Sequence, residues 1–383
     1  MRIAEGRDRP MKSYDVAIVG AGILGLAHAY AAARRGQRVV VLERDAQANG
    51  ASIRNFGFVT VTGQEAGDCW EMARRARRVW GELCAQARIP ILQEGLVVAA
   101  RLEESLPVLD AFLAGPMGEG CRRIGHAEAA AMIPALRPEA VRAALFSPHE
   151  VRVESREAIP RLAAFLAERL GVDFKWRTAV QAVETGRLWT SAGEIAAARI
   201  VVCPGDDFSS LFADRLQAYN LTRCKLHMLR LEPQRPVRFQ TALMSDQGLG
   251  RYLGYADLPE ATPLKARLDR EFAALRANGV HLIVTQSADG SLVVGDSHHY
   301  APTPDPFAPE AVDRLILDEF EAVLDLEGWS VRERWVGTYA SAKDSWRLTD
   351  RPMDGVRIVI VTAGCGASTA FGIGEETIAA LLD

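Results

Sequence analysis

Three glycines and one glutamate carry the first chemistry legible in this 383-residue sequence. Gly20, Gly22 and Gly25 stand in GAGILG at the GxGxxG spacing, and Glu43 follows where a dinucleotide fingerprint needs an acid, about 20 residues on. Gly20 permits the tight turn, Gly22 lets backbone approach a pyrophosphate, and Gly25 lets helix and strand pack closely. A helix starting there aims free amides and a positive dipole end at the phosphates, while Glu43 accepts from ribose hydroxyls. Downstream, GASIRNFG (50–57) places Arg54 and Asn55 on a loop of small residues, which admits a large group at close range. The His298–His299 pair suggests a metal, but neighbours on a strand face opposite ways and no third ligand is spaced for it. No metal site is assigned.

These residues need elements to hold them. YDVAIVG (14–20) is a nearly continuous apolar run, the pattern of a buried parallel strand. A helix runs on to Arg35, Gly36 turns the chain, and RVVVLE ends a second strand at Glu43. His28 reads as a packed helix residue. A long helix over about 66–87 turns Met72, Val79 and Leu83 inward and leaves RRARR (74–78) as its wet face. The following stretch reads as mixed and strand-poor, whereas a nicotinamide domain would continue the strand–helix alternation. Nucleotide-type patterns return at helix 155–170, at strands around 172–183, at RIVVCPG ending on Gly205, and at GVRIVIVTAGCG (355–366). CKLHMLRLEP (224–233) and SLVVGDSHHY (291–300) read as strands, and a proline-rich crossing precedes an amphipathic helix from about 309 to 326.

Hydrophobic content of 49% with 25% charged residues suits a globular protein, and a net charge of −4 gives no electrostatic case for nucleic acid or an anionic membrane. Six cysteines without a CxxC pair read as reduced thiols in a cytoplasmic protein. Residues 16–33 mimic a signal peptide or membrane span, but their glycines and strand-like start argue for a soluble chain. Residues 1–13 are expected to be a disordered lead-in.

GAGILG with Glu43, SIRNFG, VCPG, WVGTYA (335–340) and TAGCGASTAFG (362–372), in that order, resemble the D-amino-acid oxidase/sarcosine oxidase/glycine oxidase superfamily of FAD-dependent amine oxidoreductases. The resemblance implies an α/β, Rossmann-like FAD-binding domain interleaved with an α+β substrate domain on an antiparallel or mixed sheet. The first would take 14–87, 147–224 and 331–383; the second would take 88–146 and 225–330. It implies non-covalent FAD, since the family's thioether position falls near Thr338–Tyr339, where no cysteine stands. Around that FAD it places Gly20, Gly22, Ile23, Gly25, Glu43 and Arg44 at the adenosine and pyrophosphate. Ser52, Arg54 and Asn55 would seat the ribityl chain and ring, and Val180 would meet adenine. Gly205, Cys365 and Gly366 complete the implied set, with a helix from near Ser368 aimed at the flavin's pyrimidine oxygen.

NFGFVTVTGQ, CKLHMLR, GDSHHY and the WxGxY form resemble, more narrowly, a subgroup associated with phosphonate breakdown. The implied substrate is 2-aminoethylphosphonate or its N-methyl derivative, oxidised to phosphonoacetaldehyde through an imine. For that anion the resemblance offers Arg251 with Tyr252, His298 and Lys343 as candidate donors, and it adds to the substrate-binding set Tyr339, which stands where many relatives carry an arginine for a substrate carboxylate, and Thr369, where sarcosine oxidases place a lysine. Val293 takes the place of a lysine found beside the flavin in some oxidases, which leaves oxygen or another electron acceptor open. Hydride transfer from a neutral amine requires no catalytic acid or base, and none is assigned. Glycine, sarcosine or D-amino-acid oxidation, an NAD-dependent dehydrogenase and a non-catalytic flavoprotein are the alternatives.

Overall fold

The computed structural model describes residues 13–383. The expected lead-in lies outside that range except for Ser13, which opens the first strand. Ser13–Val19, Val39–Leu42, Gly193–Val202 and Val356–Val361 run parallel in one sheet, in the order 356–361, 193–202, 13–19, 39–42. Asp173–Lys175 extends one edge in parallel and Arg347–Asp350 closes the other antiparallel. Both faces are covered, so these strands read as continuous apolar runs with no wet side. Val16, Ile18, Val39, Val41, Val201 and Val359 pack under helices, while Ala17, Val40, Leu42, Ile200, Val202 and Ile358 pack on the opposite side with Val183 and Leu188.

Four helices make the first of those layers: Ile23–Ala33, Asp68–Gln86, Ser155–Leu170 and Gly366–Leu382. Met72, Val79 and Leu83 are buried, whereas Arg74, Arg75 and Arg78 are exposed, as the helical period requires. Arg77 is the exception in that run, since its Nε donates to the His149 carbonyl at 2.7 Å. Trp80 meets Phe371 edge-to-face at 5.2 Å and donates Nε1–H to the Ala367 carbonyl at 2.8 Å, which fixes the last helix against the long one.

The second sheet has ten strands. Ala242–Ser245 runs parallel to Gln93–Ala100, and the other pairings are antiparallel, so the sheet is mixed. Trp329–Ser341 lies along Thr222–Pro233, which in turn pairs Leu292–Gly295 and His299–Ala301. The stretch read as strand-poor in fact holds Gln93–Ala100, Arg122–Ile124 and part of Ala143–Arg152. Leu96 to Ala100 are almost fully buried, so their apolar run lacks the alternation that marks a half-exposed strand.

A buried ion cluster ties this sheet to the helix Glu310–Val323. Arg101 donates to Asp246 at 3.0 Å and bonds Glu319, and Asp246 also accepts the amides of Arg101 and Leu102. Both carboxylates are at most 3% exposed. Arg101→Met would strand two buried anions and should lower unfolding free energy by about 3–5 kcal/mol in a urea titration. A loss below about 1 kcal/mol would show that the two acids simply take up protons instead.

Candidate functional site

The four parallel strands all deliver their carboxyl ends to one edge. The residues that follow those ends line a single cavity of about 640 Å³, within the range of small-molecule sites. Gly20 to Gly25 come from the first strand, Glu43 and Arg44 from the second, Cys203 to Asp207 from the third, and Thr362 to Ser368 from the fourth.

At the nucleotide end the backbone itself is the wall. Gly20 has φ +99°, and a Cβ on Gly25 would stand 1.9 Å from the Gly20 carbonyl oxygen, so that turn and helix meet only without side chains. Glu43 Oε2 accepts the Ala21 amide at 2.9 Å, and Ser52 Oγ accepts the Ile23 amide at 2.9 Å. Ser52 and Glu43 thus hold the glycine loop in shape, leaving other first-turn amides to face phosphate. Arg44 pairs with Asp207 at 2.6 Å beside Gly205, joining the second strand's exit to the third's. Val180 lines the same end.

Further along, Arg54 lines the cavity and has no ion-pair partner among the described residues. Asn55 also lines it, but its amide braces its own loop. It donates to the Ala51 carbonyl at 2.7 Å and accepts from Gly57 N at 2.6 Å and Ser155 Oγ at 2.7 Å. Cys365 and Gly366 open the helix Gly366–Leu382 at the cavity wall. Thr369 is not on that wall. One turn inside the helix, its hydroxyl is taken by the Cys365 carbonyl at 3.0 Å, and Ser368 faces the cavity in its place. A hydrogen bond from Cys69 holds the Cys365 thiol below its usual pKa. His28 is fully buried and its Nδ1–H donates to the Leu24 carbonyl at 2.7 Å. Burial pushes it down to about 4, as befits a packing residue.

Beyond the flavin-type motifs the cavity is lined by Arg251, Tyr252, His281, Asp296, His298, Tyr300 and Tyr339. Arg251 donates to the Tyr300 hydroxyl at 3.2 Å, and no carboxylate pairs with it among the described residues. Lys343 does not join this group. It stands exposed in the turn after Trp329–Ser341, because the strand that carries Tyr339 to the wall has ended by then. Val293 is 1% exposed in the core of the second sheet and is absent from the cavity wall.

His281 lies in no sequence motif, and Asp296 lies in GDSHHY without a role read for it there. Pairing of Ile283 with Gly295 in adjacent antiparallel strands brings the segment before one strand against the segment after the other. His281 Nδ1 then lies 3.4 Å from Asp296 Oδ1, and His298 Nε2 lies 3.6 Å from Asp296 Oδ2. The histidine pair was expected to lack a third ligand. In space, His281, Asp296 and His298 bring ligand atoms within 4.8 Å of one another, while His299 turns away to Asn278 at 3.0 Å. Burial pushes both cavity imidazoles well below their ordinary pKa, and the charge of Arg251 lowers them further. The positive charge of Arg251 acts on all three groups and weighs against a dication among them. Burial raises Asp296 to about 7, against the pull of Arg251.

The residues present fit FAD: a cradle that a Cβ would fill, an acid at the second strand's end, and a helix N-terminus opposite a loop carrying an unpaired arginine. No helix among the described residues is long and apolar enough to cross a membrane, and residues 16–33 divide into a strand and a helix.

Comparison with known proteins identifies the family and the fold. The family described as DAO, FAD dependent oxidoreductase, matches residues 15–380. Glycine oxidase from Geobacillus kaustophilus (strain HTA426) is 27% identical over 206 residues, a match spanning 50% of this chain and 54% of that protein. Among solved structures, glycine oxidase from Bacillus cereus ATCC 14579 superposes with a TM-score of 0.77 at 17% identity, covering 96% of this chain and 95% of that one. L-proline dehydrogenase from P. horikoshii gives 0.77 at 19% identity, covering 97% and 93%. These likenesses show the fold.

Proposed function

The chain belongs to the DAO family of FAD dependent oxidoreductases, and from that premise we propose that it oxidises the C–N bond of a small amine whose other end is an anion. The substrate is 2-aminoethylphosphonate or its N-methyl derivative, and the product is phosphonoacetaldehyde. Bound FAD supplies the two-electron acceptor for a hydride from the carbon beside nitrogen. The imine left behind adds water and releases ammonia or methylamine.

One observation carries the reading: Arg251 brings a positive charge to the cavity with a tyrosine hydroxyl as its partner and no protein anion paired to it. A partly buried guanidinium whose one hydrogen-bonded partner is a phenol keeps donors free for an anionic ligand. The Tyr300 and Tyr252 hydroxyls add donors around it, which suits a phosphonate's three oxygens better than a carboxylate's two. Tyr339, in the position where relatives carry an arginine, leaves the usual carboxylate clamp without its cation. Glycine is the competing substrate, favoured by the activity named for the Geobacillus relative. The family match runs far past the first glycine motif, which leaves the nicotinamide reading without support.

The test is anaerobic bleaching of the FAD-loaded protein by 2-aminoethylphosphonate, its N-methyl derivative, glycine, sarcosine and D-alanine, each alone. The phosphonates should bleach it at the lowest concentrations. Bleaching by glycine or sarcosine alone would sink the phosphonate and keep the amine chemistry. Admitting air afterwards tells oxygen from another acceptor.

A further inference from the structure

Next to Arg251, the cavity is lined by a carboxylate and an imidazole lone pair that no side chain among the described residues hydrogen-bonds. Asp296 is 5% exposed, and its Oδ1 is buried with no hydrogen-bond donor. His298 Nδ1 faces the Gly279 carbonyl at 2.9 Å, and a carbonyl only accepts, so Nδ1 carries the proton. In the neutral ring Nε2 is then a lone pair, and it points toward Asp296 Oδ2 at 3.6 Å, too far and of the wrong sign for a hydrogen bond. A carboxylate and an imidazole lone pair side by side call for a ligand with several donors. A dication is opposed by Arg251. An ammonium group, with three N–H bonds on one small centre, fits.

We propose that Asp296 and His298 Nε2 form the subsite for the substrate's ammonium group, and that the Asp296 carboxylate removes a proton from it. The assignment rests on the amine-oxidation reading and deepens it. In the step, one N–H bond breaks, an O–H bond forms on Asp296, and the electron pair stays on nitrogen. The amine is then neutral, the state from which a hydride leaves the neighbouring carbon. No electrons change hands until that later step.

Arg251 and Asp296 thereby divide the labour on a zwitterion, with one end of the substrate at each. The charged and titratable groups around Asp296 are Arg251 and Tyr252 from the turn after Gly248–Gly250, Cys224 from Thr222–Pro233, His281 ahead of Ile283–Gln286, and His298. Burial dominates among them and sets the carboxyl near 7. The carboxylate form is therefore lost as pH falls through neutrality, and the proton-accepting form is regained above it.

The experiment compares the FAD-loaded protein with its Asp296→Asn variant, using 2-aminoethylphosphonate and the amine-free ethylphosphonate. Ethylphosphonate does not reduce flavin, so its dissociation constant is read from the perturbed flavin spectrum. It should stay within about twofold, because the Arg251 end is intact. The limiting rate of anaerobic bleaching should fall roughly 100-fold at pH 7. In the native protein that rate should climb with pH and level off above about 7. In the variant it should go on climbing about tenfold per pH unit, since each turnover waits for amine already neutral in solution.

A native-like rate and profile in Asp296→Asn would overturn the proposal, as would an equal loss of ethylphosphonate binding. Should that variant fold poorly, His298→Phe removes the Nε2 lone pair together with the Nδ1–H bond to Gly279, and it should cut the preference for the amine over ethylphosphonate roughly tenfold. Should only glycine bleach the native flavin, the phosphonate falls, and the same comparison run with glycine against acetate still decides the role of Asp296.

Discussion

Arg251→Gln should weaken binding of 2-aminoethylphosphonate and ethylphosphonate alike by about 150-fold, with flavin content unchanged. Glutamine keeps most of the side chain's length and some donors but removes the charge. Loss of one charged partner in a low-dielectric site costs roughly 3 kcal/mol, which converts to that factor. Arg251 is one of the few cavity groups able to supply this charge. Arg54 belongs to the loop between glycine turn and sheet, and the cavity imidazoles are held neutral by burial. The effect should appear in the dissociation constants of both ligands, unlike that of Asp296→Asn, which separates them. Affinities within threefold of native would remove the anion end from Arg251 and return the phosphonate reading to its rivals.

Gly25→Ala should yield a protein that purifies nearly colourless and unfolds about 3 kcal/mol more easily. One methyl group is enough, because it would stand 1.9 Å from the Gly20 carbonyl oxygen and 3.3 Å from the Ile18 side chain. Helix and strand must part to admit it, and overpacking of this kind typically costs about 1–3 kcal/mol. The separation also drags the first-turn amides out of line with the loop that Glu43 and Ser52 hold. Gly125→Ala is the control, since a Cβ there meets no atom within 4 Å. Flavin absorbance per chain and a urea midpoint report on the two variants. A yellow, stable Gly25→Ala would mean that the helix slides without harm to the cradle.

The nucleotide end was legible in the sequence because its parts are nearly contiguous. A strand, a glycine turn, a helix and an acid at the next strand's end form within about 30 residues, and each constrains the others. Direction was harder to read than position. Thr369 sits in the motif expected at the site, yet one turn into the helix its hydroxyl is bonded back to Cys365. Lys343 follows a strand that does reach the cavity, but the strand has ended before it. Asn55 lies on the expected loop and braces it with its own amide. Three of the polar residues at the substrate end, His281, Asp296 and Tyr300, were not singled out. His281 and Asp296 meet through the register of two antiparallel strands, and no local pattern in either segment announces that pairing. The strands within 88–146 escaped for a related reason, since burial on both faces erases the period by which a strand is recognised.

The order in which strands join the first sheet bears on how this protein is made. Gly193–Val202 sits between Ser13–Val19 and Val356–Val361, and the helix Gly366–Leu382 packs beside Ile23–Ala33. A chain emerging from the ribosome holds its glycine turn early but gains the opposite lip of the cavity only once residues 362–368 have been made. Until then the Ile200–Val202 end of that strand's edge has no neighbour, since Arg187–Thr190 pairs only Gly193–Ala196, and long-range closure of this kind is slow. Premature stops anywhere before about residue 360 should therefore give aggregates and no soluble half-enzyme.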